Sequence, residues 1–504
     1  MLLAPLFSTD DLRRWRSCER RFWLARHRLQ RGEPVTAHEP PADLDVALRA
    51  SFPHADTVAP PQTPSQWVQA MRHTLDCLDS DERLPEGWAI LGACLTSEDR
   101  VQVRIDVLGA AEGGGLRLVK VRHATVGDDS DIDTVALWTH VAARCGFAVQ
   151  GAGLLLVDTD FVYPGHGCYA GLFREVDLRP VLGARPVAQW LDTMRHCERG
   201  AEPAATPGPH CHQGEGCEFA ASCKACLPPP APGHAVDSLD ILGREAAAHW
   251  RAIGARSVHD LRVEQLESPR LQRAVCAVQQ GAPVIEPAVA AIARSWPHPR
   301  HCLRFDTIGM AVPVWSGTRP YQTLPFQWSC ATETADGQWT EQHFLADGQG
   351  SDPRRAFAQT LLRALGTEGA VLAYNAGFER NRIRELAQWF DDLAPALDAL
   401  QARIVDLFQI ARAHCYFPVM AGSWSFRAIA RAMAPELDMD VRLDPALGER
   451  ANPTAQSVYA LMQKPGQRLP VRHACREALE AHGQRETVVL RALLTEMEKG
   501  GRER

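Results

Sequence analysis

Residues 302–315 read CLRFDTIGMAVPVW, and the architecture of the C-terminal half turns on them. Apolar residues dominate the run, with Arg304 and Asp306 two positions apart, the spacing that puts two side chains on one face of a strand. The stretch is expected to be a buried strand that opens an α/β unit. Two further strand-like segments follow, FQWSCATET (326–334) and WTEQHFLA (339–346). Beyond them the spacing of apolar residues predicts a helix over Asp352–Leu365, the buried strand AVLAYN (370–375) and a helix over Phe378–Phe390. The expected order is three strands, then helix, strand and helix.

Upstream of this unit, from His234 to about Arg300, the pattern is helical. Within it GREAAAHWRAIGARSVHDL (243–261) suggests two short helices around Ile253-Gly254. That arrangement resembles a helix–hairpin–helix, whose backbone N–H groups can hold a phosphate; an ordinary helical linker is the competing reading. Earlier still, RVQVRIDVLG (100–109) alternates strictly, with Val101, Val103, Ile105 and Val107 on one face and Arg104 and Asp106 on the other. A glycine turn at Gly113–Gly115 leads to LRLVKVR (116–122), which puts Lys120 and Arg122 on one face. A helix over Asp131–Arg144 and the apolar strand GAGLLLVD (151–158) complete a second α/β core.

At the N-terminus the apolar positions Trp15, Cys18, Phe22, Ala25 and Leu29 form a helical stripe. Eight arginines between Arg13 and Arg31, with Glu19 the one acid among them, cover the other faces. Such a face is either solvated or meets phosphate. Cys18 has distant company in CHQGEGCEFAASCKAC (211–226), four cysteines spaced x5, x5 and x2 between the proline-rich runs AEPAATPGPH and PPPAP. Cys18, Cys211, Cys217 and Cys223 are expected to close one metal site, with Cys226 as the spare. A four-cysteine iron–sulfur cluster leads. Structural zinc is the alternative, with His210 or His212 as substitute ligands, though zinc sites favour shorter spacing. A disulfide framework fits poorly with fifteen cysteines, an odd number, and no secretory leader, and plain burial does not explain the density.

A chain of 504 residues has room for two or three domains, expected at 1–232, 233–300 and 301–504. Its apolar (45%) and charged (23%) fractions are those of ordinary globular proteins. No apolar run reaches the ~20 residues of a membrane span, so no membrane partner is expected. The opening MLLAPLF lacks the basic flank and length of a leader, which points to the cytoplasm. A net charge of −7 argues against a protein that coats nucleic acid, while permitting a local basic groove. Only four lysines occur, at 120, 224, 464 and 499.

Two resemblances add to this reading. In the first domain a cysteine, an Asp on a strand, a short hairpin, a charged–x–charged pair, a helix and a terminal cysteine triplet occur in the order of the RecB-like nucleases. These belong to the PD-(D/E)XK superfamily, and the likeness is to the branch with an iron–sulfur cluster. The resemblance implies that the strand Asp and the Glu of E-x-K hold Mg²⁺ while the Lys orients water. Asp106 stands at the Asp, but the E-x-K position reads Lys120-Val121-Arg122, and Leu137 stands where the helical Gln is expected. Mg²⁺ requires oxygen ligands, so this domain resembles a nuclease fold without its hydrolytic site.

In the second domain DTI (306–308), VPVW (312–315), GTRPYQTLPFQWS (317–329), DPRRAF (352–357), YNAGFERNRIREL (374–386), VDLF (405–408) and GSWSFRAI (422–429) together resemble a DnaQ-like exonuclease domain. That domain has a ribonuclease-H-like fold, here in a bacterial family where the RecB-like domain precedes it. The likeness spans essentially the whole chain. It implies two Mg²⁺ or Mn²⁺ ions held by four carboxylates, with a tyrosine or histidine orienting the water. The D-x-E pair reads Arg304-Phe305-Asp306, so one carboxylate is missing. Glu379 stands at the third position, Glu486 at the fourth, and His482 one helical turn before it. Arg304 is expected to pair with a neighbouring carboxylate and lower hydrolysis by orders of magnitude.

Three readings follow. The first is a nuclease relative that binds nucleic acid, DNA ahead of RNA, with both centres degenerate; Lys120, Arg122 and Arg304 would then hold backbone phosphate. The second is an active metal-dependent exonuclease using the second domain. The third is an interaction scaffold in which only the folds persist.

Overall fold

The structure is a computed structural model that describes residues 6–30, 42–78, 88–112, 114–204, 207–212, 216–225, 249–250, 252–255, 257–444 and 453–500. It is mixed α/β and divides into two compact units. The first comprises residues 1–229 with 310–321, the second 230–309 with 322–504. Among the described residues no helix is long and apolar enough to cross a membrane.

The first unit is built on a six-stranded sheet with its strands in chain order: β1 (Asp56–Thr57), β2 (Ala89–Thr96), β3 (Gln102–Ala110), β4 (Leu116–Arg122), β5 (Val149–Val157) and β6 (Phe173–Asp177). The pairings β1–β2 and β4–β5 are parallel, and the other three are antiparallel. The alternation read in β3 is realised: Val103, Ile105 and Val107 are buried, while Arg104 and Asp106 are not. A helix, Asp129–Arg144, makes the parallel crossover from β4 to β5. It starts at Asp128, whose side chain accepts from Asp131 N–H while Asp131 answers at the Asp128 N–H, a reciprocal cap that satisfies two orphan donors. Val135, Leu137, Trp138 and Val141 bury its inner face.

The N-terminal stripe is two helices rather than one. α1 (Thr9–Ser17) and α2 (Glu19–Gln30) meet at Cys18, whose backbone is extended (φ −169°, ψ 121°). The arginines are not a free face either. Arg14 and Arg21 both pair with Glu218, Arg16 with Asp133, Arg20 with Glu202, and buried Arg26 with Asp11 and Glu198. The basic helix is thus tied to segments nearly two hundred residues away, a use of charge that local spacing cannot reveal.

In the second unit the sheet order is β10–β9–β8–β11–β12, with β8 (Arg300–Ile308), β9 (Leu324–Glu333), β10 (Trp339–Leu345), β11 (Ala370–Ala373) and β12 (Ile404–Asp406). β8–β9 and β9–β10 are antiparallel; β8–β11 and β11–β12 are parallel. A two-stranded ladder of β7 (Val284–Ile285) and β13 (Cys415–Tyr416) lies outside this sheet. The opening strand is shorter than the expected 302–315. It ends at Ile308, and residues 310–321 belong to the first unit, where Ala311 and Val312 are buried with Tyr163, Tyr169 and Leu172. Tyr163 N–H donates to Thr318 O (2.9 Å) and Gly317 N–H to Tyr163 O (2.8 Å), which places these backbone groups outside any β8 ladder. Of the expected connector, residues 234–248 lie outside the described residues.

The last helix, α3 (Leu469–Lys499), positions the site. Its C-terminal half buries Val489, Leu490, Leu493, Leu494 and Met497, and each such side chain contributes ~1.5–3 kcal/mol on burial. Toward its middle, Gly483 passes so close to β9 that an added Cβ would lie 2.1 Å from Ser329 Oγ. Gln327 Nε2 donates to Leu479 O (2.8 Å) just before it. The helix therefore lies tight on the sheet where His482 and Glu486 face it.

Candidate functional site

Strand β8 alternates between two environments. Leu303 and Phe305 enter the core beside Phe357 and Leu361, while Arg304 and Asp306 line a pocket on the opposite face. Two further elements bring carboxylates to Arg304. Glu379 sits in the first turn of the helix Gly377–Trp389 and is fully buried; Glu486 comes from α3 and is nearly so. Arg304 Nη2 donates to Glu486 Oε1 at 3.1 Å, and Nη1 lies 3.6 Å from Glu379 Oε1. Its guanidinium also covers the Phe426 ring, 4.2 Å from the centroid. Arg304, expected to pair with a neighbouring carboxylate, lies within salt-bridge distance of two, Glu379 and Glu486.

Burial and charge act against each other here. Burial pushes the Glu379 carboxyl up to about 7, although Arg304 opposes it. Asp306 is likewise pushed up, first by burial and then by the Glu486 charge. For Arg304 burial works against the cation, but Glu486 and Glu379 outweigh it and hold the guanidinium firmly charged. His482 is pushed down by burial, so its imidazole favours the neutral form. One potential ligand atom from each of Asp306, His482 and Glu486 lies within 4.8 Å of the others.

Sequence reading missed two parts of this site. Asp406 caps the helix Leu407–His414 through Phe408 N–H (3.0 Å) and accepts Asn375 N–H (3.0 Å). It thereby holds a turn in which Asn375 adopts a left-handed φ of 61°. The second part is aromatic. Tyr374, Phe378, Phe408, Trp424 and Phe426 line the same pocket as Arg304 and Asp306. Tyr374 meets Phe408 and Phe426 edge-on, with centroids 5.5 and 5.6 Å away, and its hydroxyl donates to Trp424 O. All five rings stood in the motifs quoted above, but only the fold makes them neighbours.

In the first unit, Asp106 Oδ2 accepts the Val121 N–H at 2.8 Å. Arg122 donates to Asp131 Oδ1 (3.0 Å) and Asp128 Oδ2 (2.8 Å), and Lys120 Nζ lies 3.8 Å from Asp131. Lys120 is buried, 5.9 Å from the Trp138 ring centroid, and burial pushes its ammonium down. Both cations thus serve the cap of the crossover helix, and a phosphate would have to compete with its carboxylates. Leu137 is core.

The four cysteines singled out by spacing line one pocket, together with Arg21, His210 and Phe219. Cys18 comes from the break between α1 and α2, Cys211 from the turn Pro209–His212, and Cys223 from the helix Ala220–Ala225. Cys217 N–H donates to Cys211 O, and burial pushes the Cys217 thiol up. Tetrahedral zinc with ~2.3 Å bonds needs sulfurs about 3.8 Å apart. Among the described residues no three of these thiols come within 4.8 Å of one another. Cys226 lies outside the described residues.

Residues 301–425 match a domain family of unknown function, DUF2779. No curated protein matches the chain.

Proposed function

We propose that this chain is a nuclease-type nucleic-acid-binding protein whose second unit retains a binding cleft while its hydrolytic centre is impaired. The observation that carries the reading is Arg304, whose guanidinium pairs with Glu379 and Glu486 in a cleft where an exonuclease would need a carboxylate shared by two metals. A guanidinium offers charge but cannot activate water as a metal ion does. The aromatic pocket supports the binding half. Stacking on aromatic side chains contributes about 1–3 kcal/mol per base and tolerates any sequence. Trp424 Nε1 is buried there without a hydrogen-bond partner, a donor available to a ligand's oxygen or ring nitrogen. In the first unit, Lys120 and Arg122 at the E-x-K position, both engaged by Asp131, support a core that does not hydrolyse.

Single-stranded nucleic acid, DNA ahead of RNA, is the ligand class that such a stacking pocket takes. The four-cysteine site of the first unit is assigned to an iron–sulfur cluster ahead of zinc, acting as a clamp. The test is fluorescence anisotropy of the full chain with labelled single-stranded DNA, duplex DNA and RNA in EDTA, with a parallel cleavage assay in Mg²⁺ and in Mn²⁺. Single strands are expected to bind without metal, more weakly as salt rises. Trp424→Ala should cost about tenfold or more in affinity. Absence of binding at low salt removes the reading, and multiple turnovers by the parent chain would replace it with the exonuclease.

A further inference from the structure

The motif order implies two divalent ions, and the residues present do not fit two. Arg304 already brings a positive charge against Glu379 and Glu486, so a second metal beside it would meet a fixed cation. Between Glu486 and His482 the situation is reversed. Glu486 turns Oε1 to Arg304, and its Oε2 is buried without a hydrogen bond. His482 Nδ1 is also buried without a hydrogen bond, and His482 Nε2 stands 3.9 Å from Glu486 Oε1. Asp306 completes a set whose ligand atoms lie within 4.8 Å of one another. Burying acceptor atoms with nothing to satisfy them is costly, and a cation is the species that two carboxylates and a neutral imidazole satisfy together.

From this we infer that Asp306, His482 and Glu486 bind one divalent transition ion, with Arg304 standing permanently in place of a second. The donor set gives the class. Mg²⁺ prefers an all-oxygen shell in which it keeps several waters, whereas imidazole with carboxylates suits Mn²⁺, Fe²⁺ or Zn²⁺. Glu486 is the shared group: its Oε1 faces both Arg304 and His482 Nε2, and its Oε2 is left without a hydrogen bond. Glu379 belongs to Arg304 and not to the ion. This assignment does not rest on nucleic-acid binding.

The probe is Mn²⁺, followed by electron paramagnetic resonance in a titration of the full chain, since hard Mn²⁺ is a poor match for thiolates and leaves the cysteine pocket aside. The parent is expected to take up one Mn²⁺, displaced by Zn²⁺ but not by a moderate excess of Mg²⁺. Glu486→Gln and His482→Gln should each weaken uptake about tenfold or more while melting cooperatively like the parent. Arg304→Asp should raise the stoichiometry from one to two. A parent that binds no Mn²⁺, or variants at 482 and 486 that bind as tightly as the parent, would overturn the site. One ion in Arg304→Asp would overturn the role given to Arg304. Because parental stoichiometry is read directly, the site stays testable even where a variant fails to fold. Mn²⁺ uptake without any nucleic-acid binding would reject the function proposed above and leave this site standing.

Discussion

Arg304 is where single-residue chemistry weighs most. It stands among three carboxylates, of which Glu379 is fully buried and makes no hydrogen bond through either oxygen. A buried ion pair adds little net stability compared with an apolar substitute of the same shape, but removing one partner strands the other's charge. Arg304→Met should therefore destabilise the second unit by about 3 kcal/mol in urea unfolding. Adding Glu379→Gln to that variant should recover part of the loss, because the stranded charge is then gone. A single-variant cost within about 0.5 kcal/mol of zero, as for an ordinary surface change, would show that Arg304 does not neutralise the centre. That these residues belong together was legible in the chain, since Arg304 and Asp306 share one strand face and Glu379 and Glu486 hold their places in the motif order. Which carboxylates Arg304 takes was not legible. The choice depends on where α3 and the helix after β11 bring Glu486 and Glu379, a matter of distance across 182 and 75 residues of chain.

Among the elements, α3 is the one whose placement the site depends on. Its apolar C-terminal half anchors it, and Gly483 lets it lie against β9 beside Ser329 and Gln327. Gly483→Ala forces a Cβ to within 2.1 Å of Ser329 Oγ, so the helix must lift or the strand must yield. Overpacking of this kind costs about 1–3 kcal/mol, and here it should also draw His482 and Glu486 away from Asp306. The expected outcome is a lower melting temperature together with weaker Mn²⁺ uptake. Pairing the change with Ser329→Gly should restore both, and a Gly483→Ala protein equal to the parent in both would mean that the helix is not seated by this contact. Periodicity placed β3, β4, β5, β9, β10, β11 and the helices Asp129–Arg144 and Gly377–Trp389 within a few residues, because burial on one face is written locally, while β2, β6 and β12 went unread. It failed at Cys18, where one extended residue divides two helices, and after Ile308, where the chain leaves the sheet. In both places an apolar pattern continues although its burial partner changes.

At the scale of the whole molecule the two units use charge and cysteine differently. In the first, Arg14, Arg20, Arg21 and Arg26 tie the N-terminal helices to the segment 198–218, and the four-cysteine pocket joins the same two regions. Cross-linking distant parts of a chain stabilises mainly by restricting the unfolded state, and the benefit grows with the length of loop closed. Anaerobically purified protein is expected to be brown, with a broad absorption that bleaches on reduction. Cys18→Ser should remove the colour and expose the first unit to limited proteolysis, while fragments of the second unit remain protected. A colourless parent carrying stoichiometric zinc would end the cluster assignment and leave the clamp.

By itself the sequence determined the mixed α/β character, the central strands β3 to β5 of the first unit and β8 to β11 of the second, the placing of Arg304 and Asp306 on one strand face, and the grouping of the four cysteines. All of these rest on spacing, and spacing is a local property of a chain with two dominant periodicities. Only the tertiary structure decided the rest: that most of the N-terminal arginines are engaged by internal carboxylates, that residues 310–321 serve the first unit's core, and that five aromatic side chains line one pocket with Arg304. The reason is physical. An ion pair or a stacked ring gains most where burial removes water from both partners, and which distant groups come together is set by how the elements pack, not by where they stand in the chain.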